Sequence, residues 1–159
     1  MRHPVNVDIW SDIVCPWCYI GKRRFERALA GFDHRDAVTI VHRSFQLNPH
    51  AERGDAMIER LYKAYFTERR SIVDEDSLVA LAAEAGLAAA EARRVLKDGD
   101  YADEVAADGH QAAALGATGV PFFAIGGRYG VSGAQSPEVF LETLNRAWTD
   151  TQPTDTLRG

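Results

Sequence analysis

The sequence predicts an α/β fold in the order strand–helix–strand, helical block, strand–strand–helix. Three observations carry this. Alternating apolar segments stand near both ends of the 159 residues, at 5–10 and 120–125. Between residues 55 and 115 the apolar spacing is helical, at three and four residues. A strand–helix–strand of the length found at the start favours a parallel, right-handed unit. The hydrophobic fraction of 46% is that of an ordinary packed domain.

The first strand, Val5-Asn6-Val7-Asp8-Ile9-Trp10, leads into Cys15-Pro16-Trp17-Cys18, which holds the only two cysteines of the chain. Pro16 suits the first position of a helix, where a missing N–H costs nothing. Cys15 then caps the helix formed by residues 19–32 and their forerunners, and Cys18 lies one turn along. Residues three apart on a helix share a face, with Cβ atoms roughly 5–6 Å apart. Unpaired N–H groups and the positive end of the helix dipole favour a thiolate at Cys15, the reacting species. Cys15 is therefore the expected attacking sulfur, and Cys18, a turn deeper, the resolving one. Asp12 reads either as a turn residue or as a proton relay for Cys18. Trp17 is expected on the outer rim, in local packing or in contact with substrate.

Residues 38–45 are β-branched and give a second strand, ended by Pro49. Met57, Ile58, Leu61, Tyr62, Tyr65 and Phe66 form an apolar helix stripe, read as core or as the wall of a substrate groove. Asp74 or Asp76 caps a second helix bearing Leu78, Leu81, Ala82 and Ala85 and stopped by Gly86. A third runs from Ala89 to a stop at Gly99. Tyr101, Val105, Ala112 and Leu115 suggest a fourth, closed by Gly116. Residues 120–125 and 128–131 flank Gly126-Gly127 as a hairpin. Ser136-Pro137-Glu138 starts a last helix with Phe140, Leu141, Leu144 and Trp148 inward, and residues from Thr149 read as tail.

The net charge of −5 disfavours nucleic acid as a partner. No apolar run approaches the roughly 20 residues of a membrane span. Met1-Arg2-His3-Pro4 enters the first strand without a secretory pattern, so the expected setting is cytoplasmic, where a lone cysteine pair is catalytic or metal-binding rather than a staple. Lys22-Arg23-Arg24 reads as the solvated side of the first helix. A C-x-x-C can also supply half of a zinc or iron–sulfur site, but such sites take four ligands, and His3, His34, His42, His50 and His110 show no paired spacing. No metal is therefore expected. A holdase is a second non-enzymatic alternative.

With C-P-W-C heading the first helix and T-G-V-P before the third strand, the chain resembles the DsbA-like branch of the thioredoxin superfamily. Within it, residues 9–22 (IWSDIVCPWCYIGK), 119–123 (GVPFF) and 129–135 (YGVSGAQ) are similar to FrnE-type oxidoreductases. The resemblance implies a thioredoxin fold in residues 1–49 and 116–150, a helical insertion in 50–115 and a tail in 151–159. It implies a cis peptide at Val120–Pro121 facing the cysteines, with the Val120 backbone open to an extended substrate as an added strand. It implies thiol–disulfide exchange with protein or small-molecule substrates, without a bound cofactor and with a low-molecular-weight thiol as co-substrate. The alternative is a thiol-dependent isomerase or transferase of a small aromatic or polyketide-like molecule, as in 2-hydroxychromene-2-carboxylate isomerases and kappa-class glutathione transferases. Those carry serine or one cysteine at the attacking position. The chain departs from the family between Pro49 and Glu52, as if a long stretch of the helical lid were absent.

Overall fold

The computed structural model describes residues 3–43 and 54–152. In chain order come β1 (Val5–Trp10), α1 (Pro16–Ala30), β2 (Val38–Arg43), α2 (Gly54–Tyr62), α3 (Glu75–Glu84), α4 (Ala89–Asp98), α5 (Ala102–Ala114), β3 (Phe122–Ile125), β4 (Tyr129–Ser132) and α6 (Pro137–Thr151). A single 3₁₀ turn, Arg35–Ala37, leads into β2. One π turn, Lys63–Thr67, prolongs α2. This is the strand–helix–strand, helices, strand–strand–helix order read from the sequence. Residues 44, 45 and 49–52, where the end of the second strand and the jump in the chain were read, lie outside the described residues.

The four strands form one sheet in the order β2-β1-β3-β4. β1 runs parallel to β2, from Val5 opposite Val38 to Trp10 opposite Arg43. It runs antiparallel to β3, with Trp10 opposite Phe122. β3 and β4 close as a hairpin through the three residues Gly126 to Arg128; the two glycines take φ of +62° and +67°, and the Arg128 amide donates to the Ile125 carbonyl (3.3 Å).

Both faces of the sheet are covered, so β3 is buried along its whole length. On one face Val5, Val7, Ile9, Phe123 and Ile125 meet Phe25 and Ala28 of α1 and Phe140, Leu144 and Ala147 of α6. Each such large apolar side chain contributes about 1.5–3 kcal/mol by leaving water. On the other face Trp10, Phe122 and Ala124 form a smaller cluster. A third cluster joins the start of α1 to the helical block through Ile13, Cys18, Ile58, Leu61, Tyr62, Leu81 and Ala82.

Four details differ from the expectations. Helix α1 stops at Ala30, because the Gly31 and Phe32 amides fold back on Ala28 and Leu29 carbonyls. Helix α5 buries none of its residues, and Val105 and Leu115 of its expected apolar face are exposed. Only Ala112 reaches the Trp10 cluster, beside a hydrogen bond from the Trp10 indole N–H to the Asp108 carbonyl (2.8 Å). Tyr65 of the α2 stripe is also exposed, since the π turn rotates it away while Met57, Ile58, Leu61 and Tyr62 stay buried. Helix α6 continues through Thr151, where Asp150 accepts from the Tyr129 hydroxyl (2.6 Å). Asp74 caps α3 by accepting from the Ser77 amide at 2.8 Å.

Candidate active site

The site grows from the way β1 gives over to α1. Asp12 carries the turn: its carboxylate accepts from the Val14 amide (3.0 Å) and its carbonyl from the Cys15 amide (3.1 Å). Cys15 occupies the N-cap with φ −87° and ψ 113°, and its carbonyl accepts from the Cys18 and Tyr19 amides at 3.1 and 3.4 Å. Pro16 takes the first helical position. The Asp12 carboxylate is exposed and spent on this turn, while it is the Asp12 amide that meets Cys18, donating to its sulfur at 3.3 Å.

Both cysteines are free thiols. Cys15 is half-buried, whereas Cys18 is 1% exposed within the cluster that joins α1 to the helical block. Burial pushes the Cys18 thiol up to about 12, the Asp12 amide opposes that rise, and the neighbouring Cys15 adds to it. A reagent in solvent can thus meet Cys15, while Cys18 is held protonated behind it. Trp17, 60% exposed, stands beyond the pair, with Val14 and Ile20 also exposed on the same rim.

Pro121 is fully buried and its peptide bond with Val120 is cis. Val120 itself is 44% exposed. Pro121 meets the helix at Gly21, one turn past Cys18, where an added Cβ would stand 2.9 Å from its ring. The 132–135 loop holds it there: the Gly133 amide donates to the Pro121 carbonyl (2.8 Å), and Ala134 packs on Gly21 and accepts from Arg24 through its carbonyl. This gives the loop a physical role that its sequence did not disclose. Gly21→Ala is expected to cost about 1–3 kcal/mol, because the buried proline ring must shift to admit the methyl group. Thermal unfolding checks it, and an unchanged midpoint would contradict the contact.

The basic run is corrected by the structure. Lys22 is not solvated but 5% exposed, with its ammonium on Glu26, Asp55 (2.9 Å) and Glu59 (2.9 Å). Burial alone would lower its pKa, but the three carboxylates outweigh it and hold the value above the ordinary lysine range. His42 and then Lys22 hold Asp55 below the usual carboxylate range, against its partial burial. Arg23 pairs with Glu26 and Glu59. Lys22 and Arg23 therefore clamp α2 to α1, while Arg24 holds the 132–135 loop. Tyr62, read from the sequence as core or groove wall, is buried in the same cluster as Cys18, against which Cys15 also packs. Among the described residues, no group of three or more His, Cys, Asp or Glu side chains is arranged to hold a metal ion.

Residues 6–57 and 49–145 match the DSBA-like thioredoxin domain. The chain belongs to that family. A crystal structure of a probable DsbA oxidoreductase, SCO1869 from Streptomyces coelicolor, is 38% identical, with a TM-score of 0.85 over 96% of this chain and 94% of that one. A putative protein disulfide isomerase from Nitrosomonas europaea shares the fold at 12% identity, with a TM-score of 0.76 over 94% of this chain and all of that one. The uncharacterized protein YwbO of Bacillus subtilis is 25% identical over 89% of this chain and 96% of its own length. That alignment extends over 193 positions, more than the 159 residues here, so YwbO carries residues that this chain lacks. The two family matches overlap at 49–57. The DsbA-like family acts on thiols and disulfides without a bound cofactor, and the fold here is the DsbA-like thioredoxin fold. No helix of the described residues is long and apolar enough to cross a membrane.

Proposed function

We propose that this chain is a FrnE-type thiol–disulfide oxidoreductase in which Cys15 attacks and Cys18 resolves. The observation that carries the reading is the asymmetry of the pair: one free thiol half-exposed at a helix N-cap, the other buried one turn behind it. Attack at Cys15 forms a mixed disulfide. Attack by Cys18 on the Cys15 sulfur then releases the second substrate thiol and leaves a Cys15–Cys18 disulfide. Pro16 fixes the start of the helix, Trp17 offers an aromatic surface to the substrate, and the exposed Val120 beside buried Pro121 presents backbone to an extended chain.

On this reading the thioredoxin-like residues, 1–49 and 116–150, supply the dithiol, and the helical residues, 50–115, supply the wall behind it. A cytoplasmic setting belongs to the same proposal and favours a reductase or isomerase role, with a low-molecular-weight thiol returning Cys15–Cys18 to the reduced state. The isomerase alternative needs one activated sulfur, whereas a second thiol buried one turn behind Cys15 is placed to resolve a mixed disulfide.

The test is turnover. With a disulfide-bridged peptide and a low-molecular-weight thiol, the chain is expected to accelerate peptide reduction well above the thiol alone. A folded chain that accelerates exchange in neither direction would overturn the proposal.

A further inference from the structure

Tyr62 closes α2 beneath the cysteine pair, and its position raises a question of hydrogen bonding. Its ring stacks on Tyr19, the residue after Cys18, with centroids 4.8 Å apart and planes 18° from parallel. The side chain is 1% exposed and shares a packed cluster with Cys18, Ile13 and the inner side of Cys15. Among the described residues its buried hydroxyl makes no hydrogen bond of good geometry, and Ser11 is the side chain that faces it. Leaving a buried hydroxyl unpaired is unfavourable, so a native group in that state needs a reason.

The reaction supplies one. In the reduced chain Cys18 is a thiol, a poor acceptor. During exchange the Cys15 thiolate attacks a substrate disulfide R–S–S–R, forming the Cys15–S–S–R bond and releasing one R–S⁻. Cys18 then gives its proton to the released R–S⁻, and its thiolate attacks the Cys15 sulfur. The Cys15–Cys18 bond forms, the bond from Cys15 to R–S breaks, and the second R–S⁻ leaves and takes up a proton. The chain has lost two electrons and the substrate has gained them. In the reverse direction Cys18 is the leaving thiolate. Either way a negative charge appears on a sulfur that is walled off from water, where the Asp12 amide at 3.3 Å is a single donor.

We infer that the Tyr62 hydroxyl is the second donor, held unpaired in the resting chain so that it can bond the Cys18 thiolate as that charge develops. The phenol suits this task because burial, with the two sulfurs adding to it, holds it protonated well above the ordinary tyrosine range. Tyr62 moves no proton. It lowers the barrier to closing the cysteine disulfide and leaves the attack at Cys15 untouched. The inference rests on the exchange function proposed above.

The two steps separate when the reduced chain is mixed with excess dithiobis(nitrobenzoate). The first chromophore is released at a rate proportional to reagent, by attack of Cys15. The second is released at a rate independent of reagent, by closure. In Tyr62→Phe, which keeps the ring and its stacking, closure is expected to slow about tenfold, the loss of one hydrogen bond to a charged group, while the first phase stays within about twofold. Thermal stability is expected to hold, since the variant removes an unpaired buried hydroxyl.

Equal closure rates in the two proteins overturn the inference and leave the exchange function standing. A wild-type chain that shows no closure phase removes the exchange function itself. Where Tyr62→Phe fails to fold, 3-fluorotyrosine placed at position 62 alone keeps ring and hydroxyl and strengthens the donor. Closure is then expected to quicken, and an unchanged or slower rate overturns the inference.

Discussion

Cys18→Ser is expected to accumulate as a mixed disulfide on Cys15, while Cys15→Ser forms no adduct and turns over no substrate. The asymmetry follows from burial. Cys15 is half-buried at the helix start and open to a substrate, whereas Cys18 is enclosed among Ile13, Ile58 and Tyr62. Without the Cys18 sulfur nothing within the chain can displace the bound thiol, so attack proceeds and release stops. Without the Cys15 sulfur the remaining thiol is out of reach and pushed up to about 12. Loss of turnover by a factor of about 10³ or more is expected in Cys15→Ser, the scale on which removing a catalytic nucleophile acts. Intact-mass measurement after mixing with a disulfide peptide reads both outcomes. The same pair separates the two chemistries: an isomerase that activates one sulfur keeps its turnover in Cys18→Ser, and an exchange enzyme does not.

Lys22→Met is expected to destabilise the fold by about 3 kcal/mol at neutral pH. The Lys22 ammonium is enclosed by Glu26 of α1 and by Asp55 and Glu59 of α2, and His42 of β2 reaches Asp55 at 3.5 Å. Removing the cation leaves three carboxylates facing one another, and breaking a buried pair costs about 3–5 kcal/mol. The lower end applies because the carboxylates are themselves partly exposed and screened.

The pH dependence has a definite sign. The folded pKa of Asp55 lies below its unfolded value. Its contribution is therefore present above the unfolded value of about 3.9 and is lost as pH falls through the folded one. Lys22 is shifted upward, so its contribution is complete below about 10.4 and is lost only at more alkaline pH. The gap between wild type and Lys22→Met is thus widest across the neutral range and narrows in acid. Denaturant unfolding at pH 7 and pH 3 measures it, and a gap of the same size at both would contradict the clamp. Because the clamp ties α2 to α1, the variant is also expected to loosen the wall that Tyr62 forms behind Cys18.

What the sequence disclosed follows how local each determinant is. The N-cap at Cys15, the proline after it, the Asp74 cap and the Gly126-Gly127 turn are fixed within a few residues, and each stands where its spacing placed it. The helix stripe through Met57, Ile58, Leu61 and Tyr62 is likewise a matter of period. Lys22 was misread because a lysine beside two arginines looks solvated, and its three carboxylate partners come from α1 and from α2, thirty-odd residues further along the chain. Helix α5 was misread in the opposite sense: its apolar spacing is regular, but no described element covers Val105 or Leu115. The 132–135 loop and the Tyr62 hydroxyl gave no local signal at all. Their roles exist only because the chain brings Pro121 against Gly21 and α2 beneath the cysteine pair.

The most direct measurement of the central claim is the redox equilibrium of Cys15 and Cys18 in graded thiol buffers, read by alkylation and mass spectrometry. One reversible two-electron transition between dithiol and intramolecular disulfide is expected. A potential near −270 mV would mark a reductant and one near −120 mV an oxidant, on the scale set by about −270 mV for thioredoxin and about −120 mV for DsbA. A folded chain in which no Cys15–Cys18 disulfide forms at any poise would contradict the account.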